Sequence, residues 1–267
     1  MKTVMYYLLI VALLTGCITK HGAMKVAVGT DGPWILTSDG AIHGYNGSVW
    51  DQKEVPGTAE DFSVCGQFLH ILTQPAYQGG YTVKSRNLYD SPSNWTTYPA
   101  IPAKRIECDG DEPVVLSIAT DSGVYKYYKN TQKWSSIHNG AKEISVMNGY
   151  LFHLYPTTTN GNVWSRDVDG GKYSRWGENL VANKIAGDAN GYPWVATDAT
   201  SNPLYKWDKN NNKWTFGFPS GPVYGMDVQS YIRMFILSDP QINGGGYSLY
   251  SHELYSGGWT TYSLPSY

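Results

Sequence analysis

Val26-Ala27-Val28-Gly29-Thr30-Asp31-Gly32-Pro33-Trp34-Ile35-Leu36-Thr37-Ser38-Asp39-Gly40-Ala41-Ile42-His43-Gly44-Tyr45-Asn46-Gly47-Ser48-Val49-Trp50 holds three short strand-like runs, separated by Gly- and Asn-containing turns and closed by a tryptophan. Apolar residues alternate with small or polar ones, the period of a strand with two unlike faces. The unit recurs along the chain. Tryptophans in the same local context stand at Trp50, Trp95, Trp134, Trp176, Trp214 and Trp259, spaced by 45, 39, 42, 38 and 45 residues. That period is the size of a four-stranded propeller blade. The first strands align without gaps: Val26-Ala27-Val28, Phe62-Ser63-Val64, Ile106-Glu107-Cys108, Ile144-Ser145-Val146, Ile185-Ala186-Gly187 and Met226-Asp227-Val228. No segment carries a helical period. The fold class read from this pattern is all-β, a six-bladed β-propeller of four-stranded blades over residues 24–267.

The third strands show a finer repeat. They read Ile42-His43-Gly44-Tyr45, Val83-Lys84-Ser85-Arg86, Val124-Tyr125-Lys126-Tyr127, Val163-Trp164-Ser165-Arg166, Leu204-Tyr205-Lys206-Trp207 and Leu249-Tyr250-Ser251-His252. The fourth column is aromatic in odd units and Arg or His in even ones, and Ser fills the third column only in even units. Odd units precede this strand with Ser38-Asp39, Thr120-Asp121 or Thr197-Asp198. Even units carry Pro-containing loops at 74–80, 156–162 and 239–246 instead. The repeating element is therefore a pair of blades used three times.

The first sixteen residues differ from the rest. Lys2 precedes an apolar run from Val4 to Leu14, then Leu14-Thr15-Gly16-Cys17. A charged start, a short apolar stretch and small residues before a break read as a secretory signal. The stretch resembles the lipobox of bacterial lipoproteins, which implies a signal peptide at 1–16, a lipidated Cys17 and a short tether at 17–23. Attachment to a membrane through that lipid follows, since several acyl chains on one residue anchor stably. Ile18 points to the outer membrane of a bacterial envelope, with the periplasmic and surface faces both open. The formal net charge of −2 gives no basic field for nucleic acid. In an exported chain Cys65 and Cys108 could form a bridge. Their offset by one column along neighbouring first strands points the side chains differently, so two small buried thiols are the expectation.

Residues 50–64, from Trp50 through Val55-Pro56-Gly57 and Ala59 to Phe62-Ser63-Val64, resemble the tectonin repeat of tachylectin-1-like and fungal tectonin lectins. Gly32-Pro33-Trp34 and Ser38-Asp39-Gly40 resemble the middle of that repeat. The strict form occurs once, and the other units keep only the closing tryptophan and the first-strand pattern. The resemblance implies a six-bladed propeller that binds glycans, in some members lipopolysaccharide.

Sugar recognition needs an aromatic face and directed hydrogen bonds. Tyr45, Tyr127 and Trp207, beside Arg86, Arg166 and His252, offer both chemistries in adjacent blades, with Tyr81, Tyr155 and Tyr247 as rims on the even-blade loops. The same column would also serve to pack one blade on the next. Glu107 and Asp227 should face each other across the axis, as a channel lining or as an acid/base pair. His70 and His153 lack the further ligands a metal site needs. No Gly-x-Ser-x-Gly, His-Glu-x-x-His or phosphate-cradling loop is present. The sequence therefore points to a non-catalytic carbohydrate-binding envelope lipoprotein that uses no cofactor and no metal. Its rivals are a protein-interaction scaffold with an envelope partner and, more weakly, a glycan hydrolase or lyase with an axial site.

Overall fold

The computed structural model describes residues 22–267, apart from 120, 157–161, 178–179, 198–203, 217–221, 230–232, 243–244, 255–256 and 266–267, and the side chains of 229, 240 and 241. The signal segment, Cys17, Thr120, Asp198 and the middle of the 156–162 loop therefore lie outside the described residues.

Strands follow one another in antiparallel quartets. The first quartet is β1 (Ala23–Gly29), β2 (Gly32–Thr37), β3 (Ile42–Tyr45) and β4 (Trp50–Glu54). The second is β5 (Asp61–Cys65), β6 (Phe68–Tyr77), β7 (Gly80–Asn87) and β8 (Thr96–Thr97). The third is β9 (Ala103–Asp109), β10 (Glu112–Ser117), β11 (Val124–Tyr128) and β12 (Lys133–His138). The fourth is β13 (Glu143–Met147), β14 (Tyr150–Leu154), β15 (Val163–Asp167) and β16 (Ser174–Arg175). The fifth is β17 (Lys184–Gly187), β18 (Pro193–Ala196), β19 (Leu204–Asp208) and β20 (Lys213–Phe216). The sixth is β21 (Gly225–Gln229), β22 (Arg233–Gln241), β23 (Tyr247–Glu253) and β24 (Trp259–Tyr262). No helix occurs among the described residues.

The first strand of each quartet lies beside that of the next, and β21 lies beside β1, so the sheets surround a common axis. Each apolar core draws on two neighbouring quartets. Trp34, Leu36 and Ile42 pack on Phe62, Leu69 and Ile71, for example, while Phe235, Leu237 and Leu249 pack on Ala23, Val26 and Ile35. Burying an apolar face between neighbours is what holds such a ring together, because no single sheet encloses a core.

Junctions after even quartets share a design. Tyr81 pairs with Ala103 and Tyr247 with Ala23 as backbone bridges. At the matching place, Asn162 Nδ2 donates to the Ala182 carbonyl at 2.9 Å and its Oδ1 accepts from the Ala182 N–H at 2.9 Å, so a side-chain amide substitutes for a peptide. Close approach demands glycine here. A Cβ on Gly80 would sit 2.4 Å from the Pro102 carbonyl carbon, and one on Gly246 would sit 2.4 Å from that of Gly22. Junctions after odd quartets differ: Gly57 N–H donates to Asp39 O and Gly140 N–H to Asp121 O, both at 2.7 Å. The pairwise alternation read in the sequence is visible in both kinds of junction.

Three sequence expectations need correction. Cys65 and Cys108 are disulfide-bonded, with Cα atoms 6.1 Å apart. Inner strands converge at the axis, and that closeness overcomes the one-column offset. The segment 74–80 is largely not a loop, since β6 runs to Tyr77, which pairs with Gly80 across a tight turn. Trp176 is not the counterpart of Trp95 and Trp259. Even quartets end in Trp95-Thr96-Thr97-Tyr98, Tyr173-Ser174-Arg175-Trp176 and Trp259-Thr260-Thr261-Tyr262, so Tyr173 takes that place and Trp176 matches Tyr98 and Tyr262.

Candidate functional site

The fourth-column aromatics are enclosed by rings from two quartets. Tyr45 packs on Trp50 and Tyr262, with centroids 5.1 and 5.2 Å away. Tyr127 packs on Trp134 and Tyr98 at 5.3 and 4.7 Å, and Trp207 on Trp214 and Trp176 at 5.2 and 5.5 Å. Tyr127 is 9% and Trp207 6% exposed. In each trio the odd-quartet tryptophan donates its Nε1–H to the preceding sheet: Trp50 to Ser263 O, Trp134 to Pro99 O and Trp214 to Trp176 O, at 2.7–3.1 Å. The even-quartet aromatic is held by the third-column serine, through Ser85 with Tyr98, Ser165 with Trp176 and Ser251 with Tyr262. That contact explains why serine occupies the column only in even units.

The basic half of the column also turns inward. Arg86, 6% exposed, forms an ion pair of 2.8 Å with Glu54 of the preceding sheet and lies over Trp95. Arg166 donates to the Ile137 carbonyl and to Tyr173 Oη, and lies over the Tyr173 ring. His252 is buried edge-on against Trp259 at 4.6 Å. Of the rim tyrosines, Tyr81 packs into the core under its own junction. Tyr155 touches His138, His153 and Trp164, and Tyr247 stacks on Tyr224 at 3.7 Å. The structure thus does not bring the column residues to one another: the three aromatics sit in separate trios, Arg86 and Arg166 reach the preceding sheet, and His252 packs on Trp259 of its own sheet.

His70 and His153 are buried and do not converge. His70 pairs with Ser63 and His153 with Ile144, which sets them in different columns on opposite faces of their sheets. Burial holds both imidazoles neutral, near a pKa of about 3. No group of three or more metal-ligating side chains occurs among the described residues.

A second set of functional groups faces the axis. Lys25, Asp61, Arg105, Glu143, Lys184 and Gly225 occupy one equivalent position, each paired with Leu36, Leu72, Leu116, Leu154, Ala196 or Leu237 of its second strand. Their signs alternate around the ring, cation in odd sheets and acid in even ones, until Gly225. Two residues further along lie Ala27, Ser63, Glu107, Ser145, Ala186 and Asp227, on the same face by strand periodicity. Lys25 Nζ lies 3.0 Å from Asp61 Oδ1 and 3.2 Å from Glu107 Oε1, and donates to Ile106 O at 2.9 Å. Glu143 sits 3.6 Å from both Arg105 Nε and Lys184 Nζ. Asp227 accepts backbone N–H bonds from Val28 and Val228 at 2.7 and 2.8 Å.

Burial pushes the Glu107 carboxyl up to about 7, with Asp227 and Asp61 adding to the rise against the opposing pull of Lys25. Burial likewise raises Asp227 to about 6, although its backbone hydrogen bonds oppose the shift. The axial space has three parts. A mouth of about 440 Å³ is lined by Lys25, Asp61, Arg105, Lys184, Tyr224 and Tyr247. A neck of about 60 Å³ passes Glu107 and Asp227, and a cavity of about 490 Å³ at the far end reaches the disulfide.

No family model matches the chain, and no curated protein matches it by sequence. Solved structures do match its shape. YCF48 from Cyanidioschyzon merolae superposes with a TM-score of 0.57 at 10% identity, covering 91% of this chain and 85% of that one. TolB from Acinetobacter baumannii gives 0.58 at 13% identity, covering 90% and 67%. A chain of a nidogen/laminin complex gives 0.54 at 10% identity, covering 93% and 84%. The fold is a β-propeller. At such identities the likeness speaks for the fold alone.

The sequence reading found Glu107 and Asp227 but passed over the alternating charges two residues earlier. Their signal was present: Lys25, Asp61, Arg105, Glu143 and Lys184 directly precede the aligned first-strand triplets.

Proposed function

We propose that this chain is a six-bladed, non-catalytic protein-interaction propeller of a bacterial envelope, tethered through a lipid on Cys17, and that it docks an extended segment of a partner protein at its axial mouth. The observation that carries the reading is the contrast in how polar groups are used. At the blade junctions they are consumed by neighbouring blades, whereas the axial mouth is a concave, charged cavity large enough for a few side chains. Concave sites with convergent polar groups are the usual places for ligands on rigid β scaffolds. YCF48 has been solved bound to D1 peptide, and another chain of similar shape belongs to a nidogen/laminin complex, so folds of this shape take part in such assemblies. A glycan-binding role of the tectonin kind draws less support: a cavity of about 610 Å³ does lie at one junction beside Arg86 and Tyr127, but Tyr127 is only 9% and Trp207 only 6% exposed, and Arg86 is already paired with Glu54.

Co-purification from envelope extracts tests the proposal. A partner should co-purify with the wild type, be lost on replacing Lys25 and Lys184 together by Gln, and persist in Trp259→Ala, which alters a half-exposed junction ring. Equal recovery with the double variant, or its loss only in Trp259→Ala, overturns the axial assignment. Binding on a glycan array that disappears with Arg86→Met would restore the lectin reading.

A further inference from the structure

The ring of charges at the axial mouth is incomplete. Around it run Lys25, Asp61, Arg105, Glu143 and Lys184, and the sixth place, between Lys184 and Lys25, is Gly225. Three cations therefore face two acids in this column. Backbone packing does not impose the gap: a Cβ at Gly225 would meet only the Leu237 side chain, Cδ1 at 3.1 Å, which would have to shift by a few tenths of an ångström. The cations differ in how fully they are paired. Lys25 is held by Asp61 and Glu107. Lys184 has, among the described residues, only Glu143 at 3.6 Å, which is too long for a hydrogen bond and is shared with Arg105. Asp227, two residues beyond the gap, has both oxygens occupied by backbone N–H groups. Gly225 itself lines the narrow neck of about 60 Å³ together with Lys25, Arg105, Glu143 and Lys184. The mouth opens directly above it, reaching Lys184 and the neighbouring Tyr224, which stacks on Tyr247 in the mouth wall.

We infer that the gap at Gly225 is a carboxylate-binding position, filled by an acidic side chain of a docked protein segment. The incoming carboxylate supplies the acid missing from the alternation and accepts hydrogen bonds from the Lys184 ammonium, with the Lys25 charge beyond it. Burial in a low-dielectric mouth strengthens such a charge-assisted contact relative to one on an open surface. Register follows as well, since one acid of the segment is fixed at the gap while its neighbours lie over the tyrosine pair. This inference rests on the axial docking proposed above and adds to it the chemical class of the docked residue.

Fluorescence anisotropy on the mature protein tests it, with a short labelled oligoglutamate peptide as the probe and its oligoglutamine counterpart as the comparison. The wild type should bind oligoglutamate, more weakly as salt rises, and not oligoglutamine. Gly225→Asp places an internal acid in the gap and should weaken binding by roughly tenfold or more, the scale of one screened charge pair. Gly225→Ala adds the Cβ without the charge and should bind as the wild type does. Lys129→Gln removes a cation on the outer part of the ring and should change nothing. Unchanged binding in Gly225→Asp, or an equal loss in Gly225→Ala or in Lys129→Gln, overturns the inference. A partner that co-purifies through Lys25 and Lys184 but ignores Gly225→Asp would refute this inference while leaving axial docking intact, whereas loss of that dependence would refute the docking itself.

Discussion

Blade junctions and axial mouth are built from equally regular repeats, yet they use their residues in opposite ways. At the junctions the repeat is complete: each of the three aromatic trios has its donor tryptophan, its acceptor carbonyl and its serine. At the mouth the repeat of alternating charges stops at one position of six. In a repeat protein a residue that recurs with every unit is explained by the contact between units. A position where the pattern fails is not explained by contacts between units.

That contrast can be broken or sharpened by substitution. The largest effect belongs to the closure at the axis: replacing Cys65 and Cys108 together by Ser releases a separation of 43 residues, which should cost about 4 kcal/mol on chain-entropy grounds and lower the melting temperature correspondingly. Next comes Arg86→Met, which strands the Glu54 carboxylate between blades and should cost about 3 kcal/mol, read as a lower denaturant midpoint. If that variant melted like the wild type, the junction column would not be holding blades together. Trp214→Phe keeps the ring packing but removes the bond to the Trp176 carbonyl, for an expected loss of about 1 kcal/mol.

The axial groups should behave differently. Glu107 titrates near 7 in the folded chain against an ordinary value of 4.5, so the native state holds the proton that the unfolded chain releases between those values. Its contribution is present below about pH 4.5 and is lost as pH rises through 7. Glu107→Gln should therefore gain stability relative to the wild type between pH 5 and pH 8; parallel melting curves would show that Glu107 is not held protonated. Smallest of all, Lys184→Gln should shift stability by no more than about 0.5 kcal/mol, because its ion pair is long and partly solvated. A large loss there would make the axial ring structural like the junctions.

Much of this was legible in the sequence. Alternation in Val26-Ala27-Val28 and its counterparts, with tryptophans at a blade's spacing, predicted a ring of four-stranded sheets because strand period and repeat length are local properties. The pairing of blades was legible in the Ser85, Ser165 and Ser251 column. Other features depended on distance in space. The disulfide formed because inner strands converge at the axis, which a column offset read along one strand does not reveal. Tyr173 displaced Trp176 because cross-strand register, not residue type, decides which ring meets Arg166. Arg86, Arg166 and His252 read as exposed ligands for a sugar, but Arg86 and Arg166 bond a carboxylate and a carbonyl of the preceding sheet, nearly thirty residues or more away in sequence, and His252 is buried against Trp259. The axial charges were overlooked for another reason: Lys, Asp, Arg and Glu look unrelated in an alignment until alternate blades are compared separately.

On the proposed function, partners dock at the mouth and not at the junctions. Site-specific photo-cross-linking in living cells tests it most directly, with the reactive side chain placed in turn at Tyr247 in the mouth, at Trp259 on a junction and at Tyr89, which is 79% exposed on the outer part of the ring. Cross-linking of a partner from Tyr247 but not from Trp259 or Tyr89 is the predicted result. A partner captured from Trp259 or Tyr89 with none from Tyr247 would contradict the account.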